Sequence, residues 1–268
     1  MKKPLDVICV VIAALLIGWV IYSFFVPADS EHSHVVGLPS SSDFQDYNHQ
    51  LKTDYYTIDI AIKSSGNKAA DAIVRQNVNT ALKIFESDNN PEKLATMNKD
   101  ELLPNGELWQ ASWSGNITSK AGEFTNYRVD SYQFTGGAHG SPLFDMYVFD
   151  RQGRQISLTD VFLFDSNYEQ RLSELARQYL LAGKVIDASM ADSIKTNPEI
   201  ISQEYVYLGT EPNENNFDNF ALEHAGVRIS FNSYQVASYA LGQPEIMILW
   251  SDIKDIVNPD VLGRVHSG

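Results

Sequence analysis

Arg128 to Phe149 reads RVDSYQFTGGAHGSPLFDMYVF, and its organisation sets the fold class. Arg128–Phe134 and Leu143–Phe149 have the β-branched and aromatic content of strands, and a Gly-Gly turn joins them. Arg151-Gln152-Gly153-Arg154 makes the next tight turn, after Asp150. Upstream, Tyr56, Ile58, Ile60 and Ile62 alternate with Thr57, Asp59, Ala61 and Lys63, the period of a strand. Asn67 can cap a helix from Lys68, in which Ile73, Val74, Val78, Ala81, Leu82 and Phe85 recur at helical spacing up to Asp88-Asn89-Asn90-Pro91. Trp109, Ala111 and Trp113 alternate within a further strand, Glu107 to Ser119.

Downstream, Ser166 or Asn167 starts a helix with Leu172, Leu175, Ala176, Tyr179 and Leu180 on one face, ending near Gly183. A second helix is expected around Ile186 to Lys195, and the acidic stretch Thr210 to Asn216 reads as a loop. Phe217–Leu222 and Val227–Phe231 form a hairpin around His224-Ala225-Gly226. Glu245 to Trp250 is the last strand, followed by a short helix, Ser251 to Val257. Strands and helices do not alternate as regular strand–helix–strand units. That predicts an α+β fold of antiparallel sheets with packed helices.

Val7 to Val26 reads VICVVIAALLIGWVIYSFFV, without a charged residue. As a helix this run is about 30 Å long, the thickness of a bilayer's hydrocarbon core. Lys2 and Lys3 precede it, and no Lys or Arg follows until Lys52. The positive-inside rule therefore puts the N-terminus in the cytoplasm and the rest outside the cytoplasmic membrane, periplasmic or extracellular. The competing reading is a signal peptide cut near Val26-Pro27-Ala28, but the run exceeds the about 7–15 residues of a usual signal-peptide core. An uncleaved signal-anchor over residues 1–27 is expected, with one transmembrane helix at 7–26. Residues 28–54, rich in Ser and carrying His32, His34 and His49, read as a polar linker.

The chain holds 20 Lys and Arg against 34 Asp and Glu, a net charge of -14. That balance excludes a general nucleic-acid binder, which needs a basic face against phosphates. Setting aside Lys2, Lys3 and Asp6 leaves 18 basic and 33 acidic residues outside, a charge of -15 that favours basic partners. The one cysteine, Cys9, lies within the apolar run. The exported part therefore has no disulfide, no multi-cysteine metal site and no nucleophilic thiol.

No His-Glu-x-x-His helix, P-loop, Gly-x-Ser-x-Gly elbow or Gly-x-Gly-x-x-Gly turn occurs. A metal site would need His139 and His224 together with acids such as Asp130 or Asp145, and nothing in the spacing requires one. We expect no cofactor and no metal. Gly136 and Gly137 permit positive φ and close backbone approach, so His139 sits in a shaped loop. That loop is either a structural connection, with the imidazole satisfied by a backbone carbonyl, or a binding contact. Tyr205, Tyr207, Tyr234 and Tyr239 fall in or beside loops, where tyrosine offers rigid amphipathic area for protein or glycan contact. Tyr205 and Tyr207 also read as ordinary strand residues, and Tyr234 and Tyr239 as hairpin packing.

Tyr132 to Gly140, YQFTGGAHG, resembles the signature of the RsiV-like, DUF3298 family of exported bacterial envelope domains. Ile156–Phe162 (ISLTDVF) is similar to the segment that follows the family's turn. Ser233–Gly242 (SYQVASYALG) is similar to its late tyrosine-rich loop, and Glu245–Ile253 (EIMILWSDI) to its final strand and helix start. Residues 55–125 resemble the companion DUF4163, or PdaC-type, region. The resemblance divides the exported chain into 55–125, a DUF3298 region at 126–258, and a tail at 259–268. The family includes anti-sigma factors whose outer domain binds lysozyme, and cell-wall deacetylases that carry this region beside a separate catalytic domain. About six residues precede the apolar run, too few to hold a sigma factor, and about ten residues follow the DUF3298 region. The anchored outer domain alone is expected.

The expected function is a membrane-anchored extracytoplasmic binding domain of the bacterial envelope. Its partner would be a basic protein such as lysozyme, or peptidoglycan, met through Gly136, Gly137, His139, Tyr234 and Tyr239. One alternative is a cell-wall hydrolase using His139 with an acid such as Asp145. Another is a structural envelope protein without a ligand. No catalytic residue is assigned.

Overall fold

The computed structural model describes residues 45–103 and 106–267, which fall in one compact unit. The expected membrane span at 7–26 lies outside them. Among the described residues no helix is long and apolar enough to cross a membrane.

The first half of the unit is β1 (Tyr47–Lys52), β2 (Tyr56–Ile62), α1 (Lys68–Asp88), α2 (Pro91–Leu94), α3 (Lys99–Leu102), β3 (Trp109–Ala121), β4 (Phe124–Phe134), β5 (Ser141–Phe149) and β6 (Gln155–Ile156). The second half is α4 (Leu158–Val161), α5 (Tyr168–Leu181), α6 (Ala188–Thr196), α7 (Gln203–Gly209), β7 (Phe220–Leu222), β8 (Gly226–Ser230), β9 (Glu245–Leu249), α8 (Trp250–Ile253) and α9 (Pro259–Val265). The strands form a sheet in the order β1-β2-β3-β4-β5-β6 and a smaller one in the order β7-β8-β9. The architecture is α+β.

Four expectations need correction. β2 and β3 run parallel, Tyr56 opposite Trp109 and Ile62 opposite Gly115, so the large sheet is not wholly antiparallel. The connection through α1 is long enough for a crossover, which a hairpin is not. Residues 47–52 are a strand and not linker: β1 pairs antiparallel with β2 from Tyr47 opposite Ile62 to Lys52 opposite Thr57. As an edge strand it tucks in Tyr47 and Leu51 and leaves Asn48, His49 and Gln50 exposed, which is why its sequence reads as polar. The expected tail contains α9, capped by Asn258 and seated by buried Val261 and Val265. The 125/126 division also crosses β4, which pairs with β3 on one side and β5 on the other.

Asn67 caps α1 as its position suggests, accepting from Ala69 N and Ala70 N. Ala70, Val74, Val78 and Phe85 of that helix bury against Tyr56, Ile58, Ile60, Trp113, Tyr127 and Phe149 of the large sheet. A second and larger core joins Phe124, Val148 and Ile156 to Leu172, Ala176 and Leu180 of α5 and to the apolar face of the small sheet.

Asparagine amides join the two sheets. Asn126, fully buried on β4, donates to Leu222 O (2.7 Å) and accepts from Leu222 N (3.0 Å). Asn232 accepts from Phe144 N and donates to Phe144 O, and Asn219 accepts from Met146 N. Each side-chain amide thus takes the place a neighbouring strand's peptide group would occupy. An ion-pair row lies beside them. Arg128 meets Asp130 (2.7 Å) and Glu245 (3.2 Å), while Arg228 meets Glu223 (3.0 Å) and Glu245 (3.6 Å).

Candidate binding site

The last β4–β5 rung pairs Gln133 with Ser141, and residues 135–140 connect the two strands. Gly136 and Gly137 take φ of 92° and 96°, a region closed to most side chains, and so let the loop turn back at once. His139 follows on the exposed side of the turn. Its Nδ1 donates to Gly140 O (3.0 Å), which leaves Nε2 to accept from the Tyr234 hydroxyl (3.3 Å). The imidazole lies flat on Tyr239, with ring centres 4.1 Å apart and planes 17° apart. Tyr234 leans on the same ring at 5.7 Å and 31°. His139 and two tyrosines from a segment 95 residues further along the chain thereby form one surface platform.

The segment carrying the tyrosines is held firmly. Gln235 donates through Nε2 to Gly209 O (3.2 Å) and Asn216 O (2.9 Å), and its Oε1 accepts from Asn232 N (3.1 Å). Gln243 donates to Pro142 O (3.2 Å) and accepts from Arg128 (3.3 Å), tying the loop after Tyr239 to the start of β5. Within this framework Tyr234 adopts φ of 67° and remains 47% exposed. An L-residue held in the left-handed region with its ring toward solvent persists only where its surroundings over-determine it, and such positions cluster at ligand sites.

The other residues singled out in the sequence go elsewhere. Gly136 and Gly137 border a depression lined also by Met97, Asn98, Glu101, Leu102 and Trp109. Asp145 is not beside His139. Strand alternation sends it to the α1 side of β5 with Tyr147 and Phe149, while Phe144 and Met146 face the small sheet. Its side chain is open to solvent, yet its desolvation among the surrounding elements pushes the carboxyl up to about 6. His224 turns toward His266, with ring centres 6.3 Å apart, and not toward His139. Among the described residues no three His, Cys, Asp or Glu side chains converge as metal ligands.

Tyr205 and Tyr207 are on helix α7 and not on a strand. Arg177 lies 4.5 Å over the Tyr207 ring and donates to Tyr207 O. Trp109 and Met97 escape the sequence reading as site residues. Trp109 looked like one more member of an alternating strand, although it is half-buried at the strand's very start.

Residues 159–251 match the model of the family described as "Protein of unknown function (DUF3298)". The chain is 30% identical over 139 residues to the peptidoglycan-N-acetylmuramic acid deacetylase PdaC of Bacillus subtilis (strain 168), an overlap of 52% of this chain and 27% of that protein. It therefore spans about a quarter of the length of that curated relative. Two crystal structures of DUF3298 family proteins share the fold. One, from Bacteroides fragilis NCTC 9343, superposes with a TM-score of 0.57 at 19% identity, covering 84% of this chain and 98% of that one. The other, from Pseudomonas aeruginosa PAO1, has a TM-score of 0.56 at 17% identity, covering 81% and 94%.

Proposed function

We propose that this chain, which carries a DUF3298 region, is an outward-facing binding domain of the bacterial envelope, anchored by residues 7–26, and that the His139–Tyr234–Tyr239 platform takes a cell-wall glycan. The platform is the observation that carries this reading. Both imidazole nitrogens have hydrogen-bond partners, Gly140 O and the Tyr234 hydroxyl, and what the cluster offers a ligand is its ring surface. Flat aromatic faces with polar edges suit the mixed apolar and hydroxyl surface of a sugar ring. The likeness to a protein named as a peptidoglycan deacetylase supports a ligand of that class, and it also supports reading residues 55–125 as the companion DUF4163 region.

The hydrolase alternative loses its acid, since Asp145 stands on the other face of β5 from the small sheet. A second reading, capture of a basic protein such as lysozyme, is favoured by the charge of -14 on the whole chain. Calorimetric titration of the full-length chain with soluble muropeptides, and separately with lysozyme, distinguishes the two. Heat with muropeptides, weakened about tenfold by Tyr239→Ala, is expected. Heat with lysozyme alone would transfer the site to the second reading, and no heat with either would end both.

A further inference from the structure

A Cβ built on Gly136 or Gly137 would meet none of the platform's rings within 4 Å. With Thr135 the two glycines form one side of an open depression of about 250 Å³, whose other sides are Met97, Asn98, Glu101, Leu102 and Trp109. The platform lies just beyond the same crest: His139 is two residues after Gly137, which places their Cα atoms at most about 7 Å apart. The crest between them carries no side chain at Gly136 or Gly137, and a Cβ built on Gly137 would meet nothing within 4 Å. Packing does not demand glycine at Gly137. The positive φ does, and its by-product is a low, clear ridge.

Both sides of the ridge carry an aromatic ring, and the depression adds the Asn98 amide and the Glu101 carboxylate, which are hydrogen-bonded to each other at 3.0 Å. Trp109 spends its only side-chain donor on Leu102 O (3.1 Å), so the depression is bordered by an indole with no free N–H. The platform likewise presents rings whose nitrogens are engaged. Aromatic rings on either side of a ridge whose side chain before His139 is only the Ala138 methyl fit a repeating ligand long enough to cross it.

We infer that the ligand is a linear oligosaccharide lying across the Gly136–Gly137 ridge, with one sugar on His139, Tyr239 and Tyr234 and a later sugar of the same chain on Trp109. This rests on the glycan reading of the platform given above and adds to it a second subsite and a minimum length. Met97, 52% exposed at the edge of the depression, borders that second sugar.

The test is calorimetry of the full-length chain with N-acetylglucosamine di-, tetra- and hexasaccharides. The hexasaccharide should bind about tenfold tighter than the disaccharide, the gain expected of one added aromatic contact. Trp109→Ala should bring the hexasaccharide to within about twofold of the disaccharide and leave the disaccharide unchanged. Because Trp109 also steadies Leu102, Met97→Glu is the companion variant. Met97 is exposed, so folding should survive while the recess loses its apolar edge. Equal affinities for all lengths would overturn the crossing ligand and leave the platform standing, as would full length dependence in both folded variants. Failure of every oligosaccharide to bind would remove the platform reading and this one together.

Discussion

Replacing Asn126 by alanine isolates the joint between the two sheets. The side chain is fully buried, and its amide makes three hydrogen bonds: to Leu222 O (2.7 Å), from Leu222 N (3.0 Å) and to Ser119 Oγ (2.9 Å). Ser119 keeps a second partner in Glu223 (2.8 Å), so its loss is small. The Leu222 N–H and C=O lose a shared partner in a water-free place. A buried polar group without a partner costs about 1–3 kcal/mol, so the pair costs about 2–6 kcal/mol. Partial relaxation of the small sheet toward β4 places the expected loss near 3 kcal/mol. Urea unfolding followed by circular dichroism should show the midpoint falling by about 1–2 M with the slope unchanged. Asn126→Asp should be no milder, because it keeps an acceptor for Leu222 N–H but sets a carboxylate against Leu222 O. Asn48→Ala, on the exposed edge strand, should stay within about 0.5 kcal/mol of the parent. A loss below about 1 kcal/mol for Asn126→Ala would refute the idea that side-chain amides hold the sheets together.

Three further outcomes follow from local geometry. Tyr234→Gly should be more stable than Tyr234→Ala by about 1 kcal/mol in thermal unfolding, since the φ of 67° strains any residue with a Cβ, and on the proposed reading both should lose glycan affinity. Gly122→Ala should cost about 2–4 kcal/mol, combining strain at a φ of 55° with a Cβ that would meet Arg264 O at 2.0 Å. Limited trypsin digestion should then cut after Arg264 as α9 lifts away. Asp160 is pushed up by partial burial but pulled further down by hydrogen bonds from Ser157 N and from the Arg154 and Ser157 side chains, and its carboxyl ends below its usual range. A lowered native value means its stabilisation is complete above the unfolded value of about 3.9 and is lost as pH falls through the native one. Asp160→Asn should therefore remove stability at pH 7 and flatten the acid limb of the unfolding curve below about pH 4.

The strands with one apolar and one polar face were legible in the sequence. Tyr56, Ile58, Ile60 and Ile62 all point into one core, and their alternation could hardly mean anything else. α1 was legible because a capping asparagine precedes a regular apolar stripe. β1 was not, because an edge strand with only Tyr47 and Leu51 tucked in has too little apolar content to stand out from a linker. The parallel β2–β3 pair was missed for a different reason: pairing direction is set by the crossover through α1, and no local residue pattern records it. At the site, the loop containing His139 and the segment with Tyr234 and Tyr239 each stood out alone. Nothing in the order of residues shows that the imidazole stacks on Tyr239 at 4.1 Å. Trp109 carried no distinguishing signal, since a half-buried tryptophan and a core tryptophan look alike in an alternating strand. The buried Asn126 is a polar residue in mid-strand, which a sequence reading assigns to the solvent face.

The asparagines also bear on how this domain would fail. β6 covers β5 only at Val148 and Phe149, so the rest of that strand would present bare peptide groups along its outer side. Asn232 and Asn219 cover the groups of Phe144 and Met146, and Asn126 does the same for Leu222 on β7. Loosening the small sheet would therefore uncover two strand edges at once, each able to recruit a strand from another copy. Self-association through these edges, and not simple unfolding, is the hazard that the three amides guard against. Where the protein is crowded, that protection bears on its lifetime as much as on its stability.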